Sequence, residues 1–219
     1  MAFDFRAVSS ELLVDAPILA VRRDIVTMPG GGTAPREIVE HFGAVAVVAF
    51  DGENIALVHQ YRRSVGQRLY ELPAGLLDVA NEDPLDCAQR ELREEAGVKA
   101  QQWQLLVDLV TSPGFCDESV RVYLAQQLSE TPRPEAEEEE ADLTLHWVPL
   151  PQAVDMVMTG KVYNSIAIAG IMTAAQALAS AQVRSVEEPF EIRPTALSSR
   201  RQAEGLSGDM KKKPGRSPR

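Results

Sequence analysis

Short apolar or alternating stretches recur along much of the chain and predict a protein rich in β-strands. The predicted strands cover residues 18–28, 37–42, 45–50, 55–61, 69–72, 105–111, 119–128 and 144–148. The run Pro29–Thr33, with three consecutive glycines, predicts a turn between the first two strands. Between residues 72 and 105 the periodicity changes, which indicates that a helix interrupts the series of strands.

This helix is predicted to begin at Pro84 and to present one apolar stripe for burial. The stripe is formed at spacings of three, four and four residues by Leu85, Ala88, Leu92 and Ala96. Asp83 suits the N-cap position, Pro84 the first helical position and Gly97 the stop. Two further helices are predicted over residues 150–158 and 165–181, and the second has a face of small residues.

The acidic side of the first helix carries the candidate chemistry. A helix advances about 100° per residue, so Glu91 and Glu95 share one face and Glu94 lies beside them. Most acidic helix faces are only solvated. Three carboxylates this close nevertheless repel one another unless a cation lies between them, and oxygen ligands suit Mg²⁺ or Mn²⁺. Arg90 stands four residues before Glu94 and predicts an ion pair with it.

The segment Gly75–Val98 resembles the Nudix box, whose pattern is Gly, five residues, Glu, seven residues, Arg-Glu-aliphatic-x-Glu-Glu-x-Gly-aliphatic. Glu82, seven residues and then Arg90–Val98 match this pattern in full. The first part departs from it, because six residues rather than five separate Gly75 from Glu82. Either the loop is one residue longer, or Leu76 stands at the place of the usual glycine. Both readings affect the path of the loop and leave the chemistry of the helix unchanged.

The resemblance implies a hydrolase that cuts a nucleoside diphosphate linked to another group, with Mg²⁺ or Mn²⁺ as cofactor. By the same resemblance the metal ligands are Glu91, Glu95 and the backbone carbonyl of Ala74. Glu94 is a further ligand or orients one, and Arg90 is its structural partner. Glu82 could also reach a metal. Clustered cations neutralise a pyrophosphate and lower the pKa of the attacking water.

Two features resemble the ADP-ribose pyrophosphatase branch of the family, as found in actinobacteria. Pro113 follows Gly97 by sixteen residues, within the turn-rich segment Thr111–Glu118. Arg62 lies in a Gln-x-Arg sequence, and its fork of donors suits a phosphate. The branch implies cleavage of ADP-ribose to AMP and ribose 5-phosphate, with Pro113, Gly114 and Phe115 near the substrate. Read without the resemblance, Pro113 is an ordinary turn residue, Arg62 a surface arginine and Phe115 a core residue.

Two alternatives to this activity stay open. The chain could hydrolyse another nucleoside diphosphate sugar, such as GDP-mannose or an ADP-sugar. It could instead bind ADP-ribose as a sensor without cutting it, although the intact acids Glu91, Glu94 and Glu95 favour catalysis.

The general base is predicted in the acidic stretch Arg133–Asp142. In the branch that the chain resembles, a glutamate from a loop near the C-terminal end of the fold helps to activate the water. Glu140 is the first candidate here and Glu139 the second, because they stand directly before the predicted strand 144–148. Most of the other acids in this stretch are expected to be solvated.

The order of elements, together with the resemblance, predicts an α+β protein with the Nudix fold, an α/β/α sandwich around a mixed sheet. Residues 1–42 are expected to form an N-terminal β segment that builds a homodimer. Residues 43–182 form the hydrolase domain. Residues 183–219 are rich in Ser, Pro, Gly and Lys, and they predict a disordered basic tail.

Composition narrows the setting. The net charge is −10. Many of the positive residues lie near the C-terminus, so the rest of the chain is even more negative than the total. This charge argues against nucleic acid as a partner. No signal peptide and no membrane span are apparent. The two cysteines lack a C-x-x-C spacing and suggest reduced thiols. These features predict a cytoplasmic enzyme without a membrane partner.

Overall fold

The computed structural model describes residues 3–133 and 142–211. Its ten strands among these residues are β1 Ala7–Asp15, β2 Ala20–Thr27, β3 Thr33–Glu40, β4 Ala44–Ala49, β5 Asn54–Arg62, β6 Gln67–Glu71, β7 Ala74–Leu76, β8 Val98–Val110, β9 Ser119–Glu130 and β10 Thr144–Pro149. The four helices are α1 Pro84–Ala96, α2 Leu150–Met158, α3 Ser165–Ser180 and α4 Ala196–Ala203. None of these helices is long and apolar enough to cross a membrane.

The strands form three sheets. The first has the order β1-β2-β3, the second β10-β5-β6 and the third β7-β4-β9-β8. All pairs are antiparallel except β4 and β9, which run parallel, so the third sheet is mixed. This confirms the predicted α+β class with a mixed sheet.

Side chains alternate between two cores along β4, as the period of two in a strand requires. Ala44, Ala46 and Val48 face a core that α2 and α3 cover. Val45, Val47 and Ala49 face a second core that α1 covers through Cys87, Ala88, Leu92 and Ala96. Every residue of β4 is buried because helices cover both of its faces. The layers are therefore helix, sheet and helix.

Gly170 explains how α3 approaches the sheet closely. A Cβ at this position would lie 2.5 Å from Leu72 Cδ1 and 3.2 Å from side-chain atoms of Val48 and Val122. The small-residue face that the sequence predicts on this helix therefore lets the helix pack against strands.

The N-terminal sheet differs from the sequence prediction in one respect. The strands predicted at 18–28 and 37–42 are present as β2 and β3, and an additional strand, β1, pairs with β2. Nearly all of β1 is exposed, including its apolar residues. Its sequence has no clear alternation, and its place depends on pairing with β2, which propensity alone does not report.

The prediction of a disordered tail from residue 183 is wrong for the described residues up to Lys211. Residues 196–203 form α4, and its Leu197 and Arg201 are fully buried. Arg201 Nη1 lies 2.7 Å from Asp15 Oδ1, and Arg201 Nη2 donates to the Ala16 carbonyl at 2.6 Å. Composition does not reveal such anchoring, because a few isolated side chains, the charged Arg201 and the apolar Leu197 and Met210, hold this segment in place rather than a continuous apolar stripe. Residues 212–219 lie outside the described part.

Candidate active site

Helix α1 begins and ends where its sequence predicts. The Asp83 side chain accepts a hydrogen bond from the Leu85 amide at 2.8 Å and caps the first turn. Gly97 adopts a left-handed conformation with φ of 66°, and its amide donates to the Arg93 carbonyl at 3.1 Å. The two caps fix the register of the acidic face against β7.

Two acids of α1 contact β7 directly. Glu95, which is 8% exposed, accepts a hydrogen bond at Oε2 from the Ala74 amide at 2.9 Å. The carboxyl group of Glu91 lies against Gly75, where any Cβ would overlap it. Ala74 pairs with Ala46 of β4, so the strand that receives these acids is itself held in the sheet. The structure thus brings together Ala74, Glu91 and Glu95, as predicted.

Arg90 connects the acids of the helix to the loop before it. Its Nε and Nη2 donate to Glu82 Oε1 and Oε2 at 3.0 and 3.1 Å. Its Nη1 donates to Glu91 Oε1 at 2.6 Å and to Glu94 Oε2 at 3.1 Å. The predicted Arg90–Glu94 pair is therefore present. Glu82, which the sequence left as a possible metal ligand, is paired in this structure with Arg90, an arrangement that orders the loop.

The electrostatics of the site follow from burial and from Arg90. Burial raises the pKa of Glu91 from 4.5 to about 7. The charge and the hydrogen bond of Arg90 act in the opposite direction and offset part of this rise in pKa. The hydrogen bonds to Glu82, together with the charge of Glu91, raise the pKa of Arg90, which therefore stays protonated. A cation bound near this buried carboxyl group would stabilise its charged form and lower its pKa again.

The donor set fits a hard divalent ion. Within the described residues, no three His, Cys, Asp or Glu side chains converge as a ready-made metal cage. Mg²⁺ does not require such a cage, since it keeps several waters and binds proteins through one or two carboxylates. The close approach of Glu91 to Gly75 and the anchoring of Glu95 on Ala74 place two carboxylates beside backbone oxygens of β7. Such oxygen donors suit Mg²⁺ or Mn²⁺.

Arg62 lies at the end of β5, and Glu71 of β6 holds its guanidinium. Arg62 Nη2 donates to Glu71 Oε2 at 2.8 Å and Nε donates to Oε1 at 3.1 Å. Gln60 donates to the same carboxylate at 3.1 Å. The sequence did not reveal this role of Glu71, because it depends on the pairing of β5 with β6, in which Glu71 lies opposite Val58.

The loop that carries Pro113, Gly114 and Phe115 connects β8 to β9 and is fastened to β3. The Val39 amide donates to the Phe115 carbonyl at 2.7 Å, and the Asp117 amide donates to the Val39 carbonyl at 3.1 Å. The Phe115 side chain is 60% exposed, so it does not fill the core of the described chain. The hydrogen bonds of this loop lead to the N-terminal sheet, and the structure does not join it to the acids of α1. The base candidates Glu139 and Glu140 lie outside the described residues.

Comparison with known proteins identifies the class to which this fold and this acidic site belong. Residues 40–165 match the model of the NUDIX domain, and residues 5–39 match the nucleoside diphosphate sugar hydrolase N-terminal domain. The chain is 56% identical over 200 residues to the ADP-ribose pyrophosphatase of Mycobacterium tuberculosis (strain ATCC 25618 / H37Rv), covering 90% of this chain and 97% of that protein. It is 36% identical to the methanol dehydrogenase activator of Bacillus methanolicus, over 74% of this chain and 88% of that protein.

A solved structure shows the same fold. The crystal structure of an ADP compounds hydrolase superposes with a TM-score of 0.73 at 18% sequence identity, covering 83% of this chain and 97% of that one. The chain belongs to the Nudix family, and it is a Nudix pyrophosphohydrolase. Members of this family generally use divalent metal cations.

Proposed function

We propose that this enzyme hydrolyses the pyrophosphate bond of ADP-ribose and releases AMP and ribose 5-phosphate. The observation that carries the proposal is the pairing of Glu91 and Glu95 with β7 in a chain that is 56% identical to an ADP-ribose pyrophosphatase over nearly its whole length. In this reaction the oxygen of a water forms a bond to one phosphorus, and the bond from that phosphorus to the bridging oxygen breaks.

The metal that we propose is Mg²⁺ or Mn²⁺. Glu91, Glu95 and the carbonyl of Ala74 would hold it, with Glu94 as a further ligand or as an orienting group. When bound, the ion neutralises the pyrophosphate and makes water a stronger nucleophile. Arg90 holds the carboxylates of Glu91 and Glu94 in place through hydrogen bonds of 2.6 and 3.1 Å.

We propose Glu140, or else Glu139, as the base that takes the proton of the attacking water. The proposal is supported by their place in the sequence before β10, since Asp142, which precedes this strand, forms an ion pair with Arg68 of β6. A Glu140→Gln variant that retains full kcat would move the role to Glu139 or elsewhere.

The substrate-binding group that we propose is Arg62, Pro113, Gly114 and Phe115. The pair with Glu71 holds the guanidinium of Arg62 in a defined orientation, which favours recognition of a phosphate. The exposed Phe115 ring offers a face on which an adenine or a ribose could rest.

We also infer a homodimer built by residues 1–42, with residues 43–182 as the hydrolase domain. Seven large apolar side chains at the N-terminus are between 39% and 59% exposed. They are Phe3, Phe5, Val8, Leu12, Leu13, Val14 and Ile18. An apolar surface of this kind on an edge strand is typical of an interface.

The two unpaired cysteines support a cytoplasmic location.

A substrate panel tests the proposed function. The panel holds ADP-ribose, ADP-glucose, GDP-mannose, NADH and 8-oxo-dGTP with Mg²⁺, and phosphate is measured after a coupled phosphatase. We expect kcat/KM for ADP-ribose to exceed every other value by at least about tenfold, which corresponds to about 1.4 kcal/mol in transition-state binding. A flat profile or a different preferred substrate would reject ADP-ribose and keep the pyrophosphohydrolase chemistry.

A further inference from the structure

The C-terminal segment pairs with the loop that leads into α1. We define the C-terminal latch as residues 208–211 and the box loop as residues 77–82. The Ala80 amide donates to the Gly208 carbonyl at 2.8 Å, and the Met210 amide donates to the Asp78 carbonyl at 2.8 Å. Val79 and Asp209 form an antiparallel bridge between these hydrogen bonds. The latch therefore adds a short strand to the box loop.

Met210 fastens the latch to the body. It is 1% exposed and packs in a small core with Ala20, Phe42 and Leu197, against which Ala80 of the box loop also lies. This core joins the N-terminal sheet, α4, the latch and the box loop. Because burial of a methionine side chain stabilises the folded state, the latch is a built part of the fold.

The latch places a cation beside the acids of α1. Lys211 Nζ lies 2.8 Å from Asp78 Oδ2, and the Asp78 side chain is only 5% exposed whereas that of Lys211 is 45% exposed. Glu91 is close enough for its charge to act on both Asp78 and Lys211. A buried carboxylate needs such a partner, since an isolated charge is costly to bury.

The box loop transmits this pairing to the helix. Its last residue, Glu82, receives two hydrogen bonds from Arg90, and Arg90 in turn contacts Glu91. Asn81 in this loop has a φ of 64°, a left-handed conformation that residues other than glycine seldom adopt. Its neighbour Ala80 is held by the hydrogen bond to Gly208, so the latch helps to fix this path of the loop.

We propose that Lys211 is a positioning residue of the active site. Through its ion pair with Asp78 it holds the box loop in the conformation in which Glu82 and Arg90 present Glu91 to β7. This inference deepens the proposed function and rests on it, because Glu91 is assigned there as a metal ligand. Lys211 acts through Asp78 and does not touch the substrate.

A double-mutant cycle tests this role. The variants are Lys211→Met, Lys211→Arg, Asp78→Asn and the double variant Asp78→Asn/Lys211→Met, with Lys161→Met as a control at another exposed lysine. Three quantities are measured on each full-length protein. They are amide hydrogen exchange of residues 77–83 without metal, the Kd for Mn²⁺ by calorimetry, and kcat and the half-saturating Mg²⁺ concentration with ADP-ribose.

For Lys211→Met we expect faster exchange of residues 77–83 and a rise of about tenfold in the Mn²⁺ Kd, the range seen when a group that orients a ligand is lost. Lys211→Arg should lie within about twofold of the unmodified enzyme, because it keeps the ion pair with Asp78. The double variant should be no worse than Lys211→Met, because the second substitution removes nothing further once the ion pair is broken. This non-additivity separates positioning through Asp78 from direct contact with the substrate.

Two outcomes would overturn the inference. In the first, Lys211→Met behaves like Lys161→Met in all three measurements. In the second, the losses of Lys211→Met and Asp78→Asn add up in the double variant, so that the two residues act independently. The exchange and Mn²⁺ measurements need no substrate, so they decide the matter even if ADP-ribose proves to be the wrong nucleotide.

Discussion

Single residues of the box loop and of β7 determine whether the acids of α1 can act. Glu91 has a place only because position 75 lacks a side chain, and Glu95 is fixed only because the Ala74 amide is free of the sheet ladder at that point. The glycine that opens the box pattern is thus a steric requirement of the site.

We expect Gly75→Ala to displace the Glu91 carboxyl group and to raise the half-saturating Mg²⁺ concentration by about 10- to 100-fold. The melting temperature should fall as well, because the new Cβ would overlap Cγ of Glu91 in addition to its carboxyl group, so more than the tip of this buried side chain must shift. Gly32→Ala is a matched control, since a Cβ there meets nothing within 4 Å. Equal Mg²⁺ dependence of the two variants would show that Glu91 does not need this space.

The raised pKa of Glu91 predicts a pH dependence of stability in the metal-free protein. The pKa of this group rises from 4.5 to about 7 on folding, so its contribution to stability is present below pH 4.5 and is lost as the pH rises through 7. With metal removed by a chelator, we expect the melting temperature of the unmodified enzyme to fall between pH 5 and pH 8 relative to that of the Glu91→Gln variant under the same conditions. A difference between the two proteins that is constant over this range would mean that Glu91 has an ordinary pKa.

At the scale of elements, the sequence predicts α1 in detail because its signals are local. Asp83, Pro84 and Gly97 act within a turn of their own positions, and the structure has each in the predicted role. Helices α2 and α3 are also close to their predicted bounds. In contrast, β7 and α4 were missed because pairing or ion pairs with residues far away in the chain fix them. Strand β1 was missed although its partner β2 follows directly, because its own sequence has no clear alternation.

The same distinction applies to the site. Motif spacing is enough to predict Ala74, Arg90, Glu91, Glu94 and Glu95, since they lie in one strand, loop and helix. It does not reveal the clamp of Glu71 on Arg62 or the contact of Lys211 with Asp78, which is separated from it by more than half of the chain. Such pairs become visible only when the topology is known.

We expect Gly170→Ala in α3 to destabilise the protein although alanine favours helices. Overpacking costs about 1–3 kcal/mol, and the gain in helix propensity is about 1 kcal/mol. The new Cβ would crowd Leu72, Val48 and Val122. Thermal unfolding checks this against Gln176→Ala, which changes an exposed position of the same helix. A higher melting temperature for Gly170→Ala would show that α3 packs less closely than the structure indicates.

At the scale of the whole molecule, the exposed apolar residues of the N-terminal sheet lead to a prediction about assembly. We expect the enzyme to sediment as a dimer at micromolar concentration, and Leu12→Glu to shift it towards monomer because a charge would be buried in the interface. Gln176→Glu adds the same charge on α3 and should leave the dimer intact. A fully active monomer in the unmodified protein would rule out the proposed role of residues 1–42.

The account as a whole depends on the claim that Glu91 and Glu95 of α1, placed against β7, hold the ion needed to hydrolyse ADP-ribose. The most direct test is the Mg²⁺ dependence of ADP-ribose turnover in Glu95→Gln, compared with Asp86→Asn at an exposed position of the same helix. We predict that kcat/KM falls by at least about 100-fold in Glu95→Gln and changes less than about twofold in Asp86→Asn. Unchanged turnover of Glu95→Gln at saturating Mg²⁺ would contradict the account.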